Sequence, residues 1–332
     1  MSRLPARWSL LAGLLLLLGA LTACTQESPS HTSTATAFSR PLELTLRGVA
    51  QNEAEKAAHT AIEDLLFIAE VSHPWNPGPL GRTNQLFSFG AEFSANPSIL
   101  PMIRLAGRLE QQTAGYYAPA LGRLQQLWGF HSEFPQPMVP SREEIDTLLA
   151  ARPRMSEIQI DGIRMRSGNS ALQIDFGPFA QGYALDTARA RLAEQGVTSA
   201  RIDNGNAVAV LGEDWKLELP GQAAGPLSLH DGEAAVTLST ADVTFADEEG
   251  RYHPYIDPYT GYPSRGMDSV TVLHPSAATA AALAQALLAG GETKLASQLQ
   301  VLSIDYASII TEDGRTVTTP ALARRLGSVR AE

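Results

Sequence analysis

The sequence predicts an α+β domain in which helices pack on a mixed sheet. Two observations carry that expectation. Stretches of strand-like alternation and of helical spacing are interspersed without the strict strand-helix-strand order of a doubly wound fold. Globular composition also runs without a repeat or second linker from Pro41 to about Ala323, enough for one large core.

Each element rests on a local signal. Residues 42–49 alternate as a strand, and residues 53–71 then set Ala57, Ile62, Leu65, Leu66 and Ala69 at helical spacing. Residues 72–83 hold three prolines and two glycines and predict a loop. Asn96-Pro97 opens a helix through Ile99, Ile103, Leu105 and Leu109, and Ser141 with Glu144 forms a capping box ahead of another. Asp161-Gly162 marks a hairpin between short strands. Residues 172–176 predict a buried strand leading into a helix over 179–195. Residues 200–211 predict a strand interrupted by Asn204-Gly205-Asn206. Strands near 215–219 and 234–238, a strand at 269–273, a small-residue helix over 275–289 and a strand at 304–310 complete the chain.

The first residues follow the order of an export signal. Arg3 and Arg7 precede an apolar stretch too short to span a bilayer, and Leu21-Thr22-Ala23-Cys24 closes it as a lipoprotein cleavage site. The expected organisation is a signal peptide at 1–23, a lipidated Cys24 with a flexible tether through 40, and one domain from 41 to 332. Ser- and Thr-rich and without apolar periodicity, the tether would reach roughly 20–25 Å as coil. The lipid anchors the chain to a membrane with its domain facing the periplasm. Thr25, which is not a retention aspartate, tilts the expectation toward the outer membrane.

Composition excludes several functions. Cys24 is the only cysteine, so a disulfide, a thiol nucleophile and a zinc-cysteine site are out. Cleavage lowers the basic side chains from 25 to 23 and leaves 35 acids, a net charge of −12 that disfavours nucleic acid. Lys56, Lys216 and Lys294 are the only lysines, and none follows a glycine-rich phosphate loop.

Three segments suggest chemistry. Asp175-Phe176-Gly177-Pro178 at a strand-to-helix turn is an anion cradle or a plain capped turn. Asp203-Asn204-Gly205-Asn206 within an apolar strand is a bulge near a ligand or a surface hairpin. The stretch from Tyr252 to Pro263, with four tyrosines and His253, is a rigid turn or a wall for a planar ring.

In this order the segments resemble the ApbE family, the FAD:protein FMN transferases. Thr113-Ala114-Gly115-Tyr116-Tyr117-Ala118-Pro119 is similar to the family's Gly-Ala-Phe-Asp-Pro, and Leu127-Trp128-Gly129-Phe130 to its Leu-Trp-Gly-Phe. The segment from Ile174 to Asp186 looks like Asp-Leu-Gly-Gly-Ile-Ala-Lys-Gly-Tyr-Ala-x-Asp. Ile256-Asp257-Pro258-Tyr259-Thr260-Gly261 looks like Ile-Asp-Pro-Arg-Thr-Gly, and Ser269-Val270-Thr271-Val272 precedes an alanine-rich helix as it does there. The resemblance implies binding of FAD, cleavage of its pyrophosphate with Mg2+, and attachment of FMN to a Thr or Ser of an acceptor flavoprotein beside the membrane. It implies flavin contacts from Tyr116, Tyr117, Asp175, Gln181 and Ile256, catalytic roles for His253 and Asp257, and metal contacts from the Pro178 carbonyl and Gln285.

The sequence also departs from the family. Ala281 and Gln285 stand where it has metal-binding Asp and Thr, Gln181 where it has Lys, Ala118 where it has Asp, and Pro254 where it has His, with His253 adjacent. Three functions stay open at this point. The first is an active transferase whose metal is held by Pro178, Asp257 or FAD itself. The others are a non-catalytic flavin-binding lipoprotein and an assembly lipoprotein on the same scaffold.

Overall fold

The computed structural model describes residues 29–132, 138–213, 215–222, 225–241, 245–247 and 250–327; the expected signal peptide and Cys24 lie outside them. The chain opens with a hairpin of β1 (Ser30–Ala37) and β2 (Arg40–Arg47), followed by α1 (Gln51–Val71) and α2 (Pro79–Ser88). A short strand β3 (Phe93–Ser94) leads to α3 (Leu100–Gln112), α4 (Gly122–Leu127) and α5 (Arg142–Ala151). Next come β4 (Gln159–Asp161), β5 (Arg164–Arg166) and the long helix α6 (Pro178–Glu194). The strands β6 (Ala200–Asp203), β7 (Ala207–Leu211), β8 (Trp215–Leu217), β9 (Leu227–Leu229), β10 (Ala234–Ser239), β11 (Phe245–Ala246), β12 (Arg251–Tyr252) and β13 (Met267–His274) follow. The last elements are α7 (Ala277–Gly290), α8 (Leu295–Val301), β14 (Ala307–Thr311), β15 (Thr316–Thr318) and α9 (Pro320–Arg325).

The α+β class expected from the sequence is the class adopted. The main sheet has eight strands in the order β1-β2-β6-β7-β10-β13-β14-β15, and each of its ladders is antiparallel. Side chains on a strand alternate between faces, so one sheet serves two cores. Ala207, Ala209, Val236, Val270 and Val272 face the main core with α1, α6 and α7. Val208, Val210, Ala235 and Leu273 face a smaller one closed by the β8–β9 hairpin and Leu322 of α9. A third, aromatic cluster of Trp128, Phe245, Tyr252 and Ile256 lies under the loops with Leu124 and Ile145.

Four expectations need correction. Residues 30–40 are no tether. Thr32, Thr34 and Thr36 alternate with less exposed residues, and β1 pairs with β2 from Ser30↔Arg47 to Ala37↔Arg40. Threonine is a good strand former without being apolar, so the strand left no hydrophobic signal. The loop predicted at 72–83 ends early, because Pro79 starts α2 from the first helical position, where a missing N–H costs nothing. The helix after Asn96-Pro97 begins at Leu100, since the Asn96 side chain accepts the Ser98 N–H at 3.0 Å in a turn. Residues 172–176 are buried at Leu172, Ile174 and Phe176 but join no sheet. The side chain of Asn84 satisfies both groups of Ile174, accepting its N–H at 2.7 Å and donating to its carbonyl at 2.8 Å. Asp175 N–H goes to the Pro119 carbonyl at 2.8 Å.

Candidate active site

All three sequence segments converge on one cavity, the third through Pro254 and Tyr255. Asn204-Gly205-Asn206 is the turn of the β6–β7 hairpin, paired from Ala200↔Leu211 to Asp203↔Val208. It faces the first turn of α6, where Gln181 donates to Asn206 Oδ1 at 2.5 Å and to the Asn204 carbonyl at 3.4 Å. The buried Asn204 amide in turn donates to the Ala37 carbonyl at 3.1 Å, tying this turn to the β1–β2 hairpin.

Between these turns lies a cavity of about 260 Å³. Asp175, Gly177, Pro178 and Gln181 line it from α6 and its approach, Gln285 from α7, and Asn206 from the hairpin turn. Phe38 and Arg40 close it from the first hairpin. Gly177 turns the chain into α6 at φ 54°, and a Cβ there would stand 3.2 Å from Gln285 Oε1. That oxygen is buried and has no hydrogen-bond partner. An unpaired buried acceptor is costly, so one at a cavity wall indicates a group to be bound.

Asp175 Oδ1 accepts the Gly177 N–H at 3.0 Å. Burial raises the pKa of this carboxyl, and the opposing pull of the Gly177 amide and of His73 and His131 is weaker. The anion cradle expected here is therefore reduced. Gly177 spends its amide on Asp175, Pro178 has none, and Ala180 bonds back to the Gly177 carbonyl.

A larger cavity of about 550 Å³ adjoins the first through Ala118 and Leu121. Tyr259, Gly115, Arg154 and Glu110 line it. Tyr259 donates from its hydroxyl to the Ala114 carbonyl, and its ring meets Tyr116 edge-on at 5.1 Å. Glu110 was not evident from the sequence, where a lone glutamate on a helix reads as solvated. It is 4 % exposed, accepts the Met155 N–H at 2.9 Å, and burial raises its pKa to about 7.

Asp175, Pro178, Gln181 and Gln285 thus come together, and the remaining expected site residues fall elsewhere. His253 is buried with both ring nitrogens engaged, Nε2 donating to the Ser264 carbonyl at 2.9 Å and Nδ1 accepting the Tyr255 N–H at 3.3 Å. Burial lowers its pKa to about 4, so the ring is neutral near pH 7, and both of its nitrogens serve to hold the loop. Asp257 holds its own turn by accepting the Tyr259 N–H at 2.8 Å and lines neither cavity. Tyr117 is fully buried against Phe179, its hydroxyl 3.4 Å from the Phe176 carbonyl, and lines neither cavity. Ile256 belongs to the aromatic cluster with Trp128. The tyrosine wall shrinks accordingly, because Tyr252 and Tyr255 are buried and Tyr259 alone of the four is well exposed.

The expected Mg2+ does not fit these donors. Magnesium favours hard, anionic oxygens, whereas Ala281 and Ala284 offer methyl groups and Gln285 a neutral amide. Among the described residues no three His, Cys, Asp or Glu side chains gather as a metal site would need.

Sheet order and helix layer define a class of α+β domain with solved representatives. The Thermotoga maritima ApbE protein superposes with a TM-score of 0.79 at 24 % identity, over 89 % of this chain and 99 % of that one. The apo flavinyl transferase ApbE of Pseudomonas stutzeri gives 0.81 at 22 % identity, over 92 % and 99 %. The ApbE family profile matches residues 38–307, and this chain belongs to the ApbE family. The FAD:protein FMN transferase of Rhodobacter capsulatus is 32 % identical over 330 residues, 96 % of this chain and 62 % of that protein. That of Vibrio cholerae is 28 % identical over 247 residues, 71 % and 73 % of the two. The chain therefore spans about three fifths of the Rhodobacter relative's length.

Proposed function

We propose that this domain is an FAD:protein FMN transferase acting on a Thr or Ser of an acceptor flavoprotein. The observation that carries the reading is the convergence of the polar side chains of Asp175, Gln181, Asn206 and Gln285 on one small cavity, adjoined by a larger, tyrosine-edged one. The first suits a pyrophosphate and the second a flat ring. In the reaction the acceptor hydroxyl attacks the FMN-side phosphorus. A P–O bond forms to the hydroxyl oxygen, the anhydride P–O bond breaks, and AMP leaves with the bonding pair. Asp175 receives the hydroxyl proton. It is the one carboxylate among the described residues lining the smaller cavity, and burial, by raising its pKa, makes it a stronger proton acceptor than an exposed aspartate. The chain's own contribution is to orient both partners and to exclude water. No step runs through a metal.

A second reading, a flavin-binding lipoprotein without catalysis, draws on Ala281 and Gln285. One incubation of the domain with FAD and a Thr-containing acceptor separates the two. Flavin-labelled acceptor with free AMP supports transfer, and FAD retained without either product supports binding alone. Support for a lipid on Cys24, a membrane-bound acceptor and a periplasmic, outer-membrane setting comes from residues 3–25 only. Mass spectrometry of the membrane-extracted N-terminus tests it, and an unmodified Cys24 would reject it.

A further inference from the structure

The site has Ala281 where the family has its metal-binding Asp and Gln181 where it has lysine, yet a pyrophosphate brings negative charge that something must meet. Among the described residues that line the cavity, Arg40 is the one cation. Its position is fixed by the backbone. Arg40 pairs with Ala37 at the closed end of the β1–β2 hairpin, and Pro41 stiffens the following residue. The connecting turn, Phe38-Ser39, holds φ at 54° and 58°, left-handed at two successive non-glycine residues. This turn matches the right-handed twist of a hairpin, but Asn and Gly are its usual residues. A phenylalanine kept there costs energy, and such strain persists where surroundings over-determine it, often at functional sites. Here the Asn204 amide clamps the Ala37 carbonyl, and Phe38 lines the cavity beside Arg40. A Cβ on Gly205 would stand 4.0 Å from Arg40 Nη1, so the guanidinium reaches over the same turn that Gln181 holds through Asn206.

We propose that Arg40 is the pyrophosphate-binding cation of this site and takes the charge-neutralising part that a resident divalent ion plays elsewhere. A guanidinium is always charged and offers a planar fork of donors that matches phosphate oxygens, so it can serve without a metal. The inference rests on the reading of FAD as ligand and adds that its anhydride is held by the protein's own charge.

The test measures binding to the full chain in EDTA, apart from turnover. FAD, FMN and riboflavin are titrated by flavin fluorescence and inorganic pyrophosphate by calorimetry, against wild type, Arg40→Lys and Arg40→Gln. Thermal melting verifies that each variant is folded. Wild type is expected to bind FAD equally with EDTA or Mg2+. Arg40→Gln should weaken FAD and pyrophosphate about ten- to hundredfold and leave riboflavin within twofold, with Arg40→Lys in between. Unchanged FAD affinity in Arg40→Gln, an equal loss for riboflavin, or a wild type that binds FAD only with Mg2+ overturns the proposal. Arg40-dependent pyrophosphate binding without FAD binding keeps the anion site and sinks the flavin reading. Transfer activity indifferent to Arg40→Gln, with unchanged affinity, does the reverse. A wild type that binds neither ligand ends both.

Discussion

Single residues in this fold are readable by what their environment does to their charge. Asp175→Asn keeps the hydrogen bond to Gly177 and removes the proton acceptor, so transfer should fall about 10²- to 10⁴-fold while FAD affinity stays within a few-fold. Single-turnover kinetics beside a binding titration checks it, and a variant that transfers normally removes Asp175 from the chemistry. Glu110 makes a stability prediction. Its folded pKa of about 7 lies above its ordinary 4.5, so the unfolded chain ionises first as pH rises. Glu110 therefore supports the fold fully below pH 4.5, and that support is lost as pH rises to 7, a loss of about 3 kcal/mol. Glu110→Gln keeps an acceptor for Met155 and cannot ionise. It should melt several degrees higher than wild type at pH 8 and near the wild-type temperature at pH 4.5. An equal shift at both pH values would contradict the linkage. His253 acts oppositely, since its pKa of about 4 lies below the ordinary 6.5 and its support is lost as pH falls through that window. The two slopes oppose each other between about 4.5 and 6.5, so the wild type hides both. Of these residues only Asp175 and His253 were legible in sequence. Motif likeness marked them, but only geometry separates a cavity carboxyl from a histidine spent on Ser264 and Tyr255.

At the scale of elements, the link between α6 and α7 positions the cavity. Asp186 on α6 caps the start of α7, accepting from Ser276 Oγ at 2.7 Å, Ala277 N–H at 2.9 Å and Ala278 N–H at 3.1 Å. Arg189 pairs with it at 3.0 Å. Carboxylates at helix N-termini satisfy donors that no backbone group reaches. One turn earlier Gly182 touches the same spot, where a Cβ would overlap the Ala277 carbonyl and the Ala278 nitrogen. This junction fixes Gln285 opposite Gly177. Asp186→Ala should cost about 2–4 kcal/mol, because the three capping bonds and the Arg189 pair are lost together. Chemical denaturation measures it. A cost under 1 kcal/mol would show that water replaces the cap. Helices α5, α6 and α7 were legible because their signals are local, such as the Ser141–Glu144 box and the proline at the first position of α6. The segment 172–176 was legible only as buried. Its apolar alternation tells which side chains face inward, but its partner is Asn84, 90 residues away, and no periodicity encodes that.

The whole molecule turns on its first strand. Read from sequence, the domain begins at 41 and residues before it are a leash. In the structure β1 is the outer strand of the eight-stranded sheet, and it shields β2, whose Leu42, Leu44 and Leu46 are each 1 % exposed. The turn after β1 carries Phe38 and Arg40 to the cavity, so an error about a tether was also an error about the site. Thr and Ser alternation is too polar to register as a buried pattern, and the pairing that rescues it lies in the next strand. A chain starting at Pro41 should then behave unlike one starting at Pro29. Without β1 the second strand becomes an unpaired edge with apolar residues beside it, a setting for aggregation. Its melting temperature should drop by ten degrees or more, or the protein should fall out of solution, and FAD affinity should fall with the loss of Arg40's anchored hairpin. The chain from Pro29 should match the full chain in both measurements. Equal melting and equal FAD affinity for the two truncations would return residues 30–40 to the role of linker and detach Arg40 from the site.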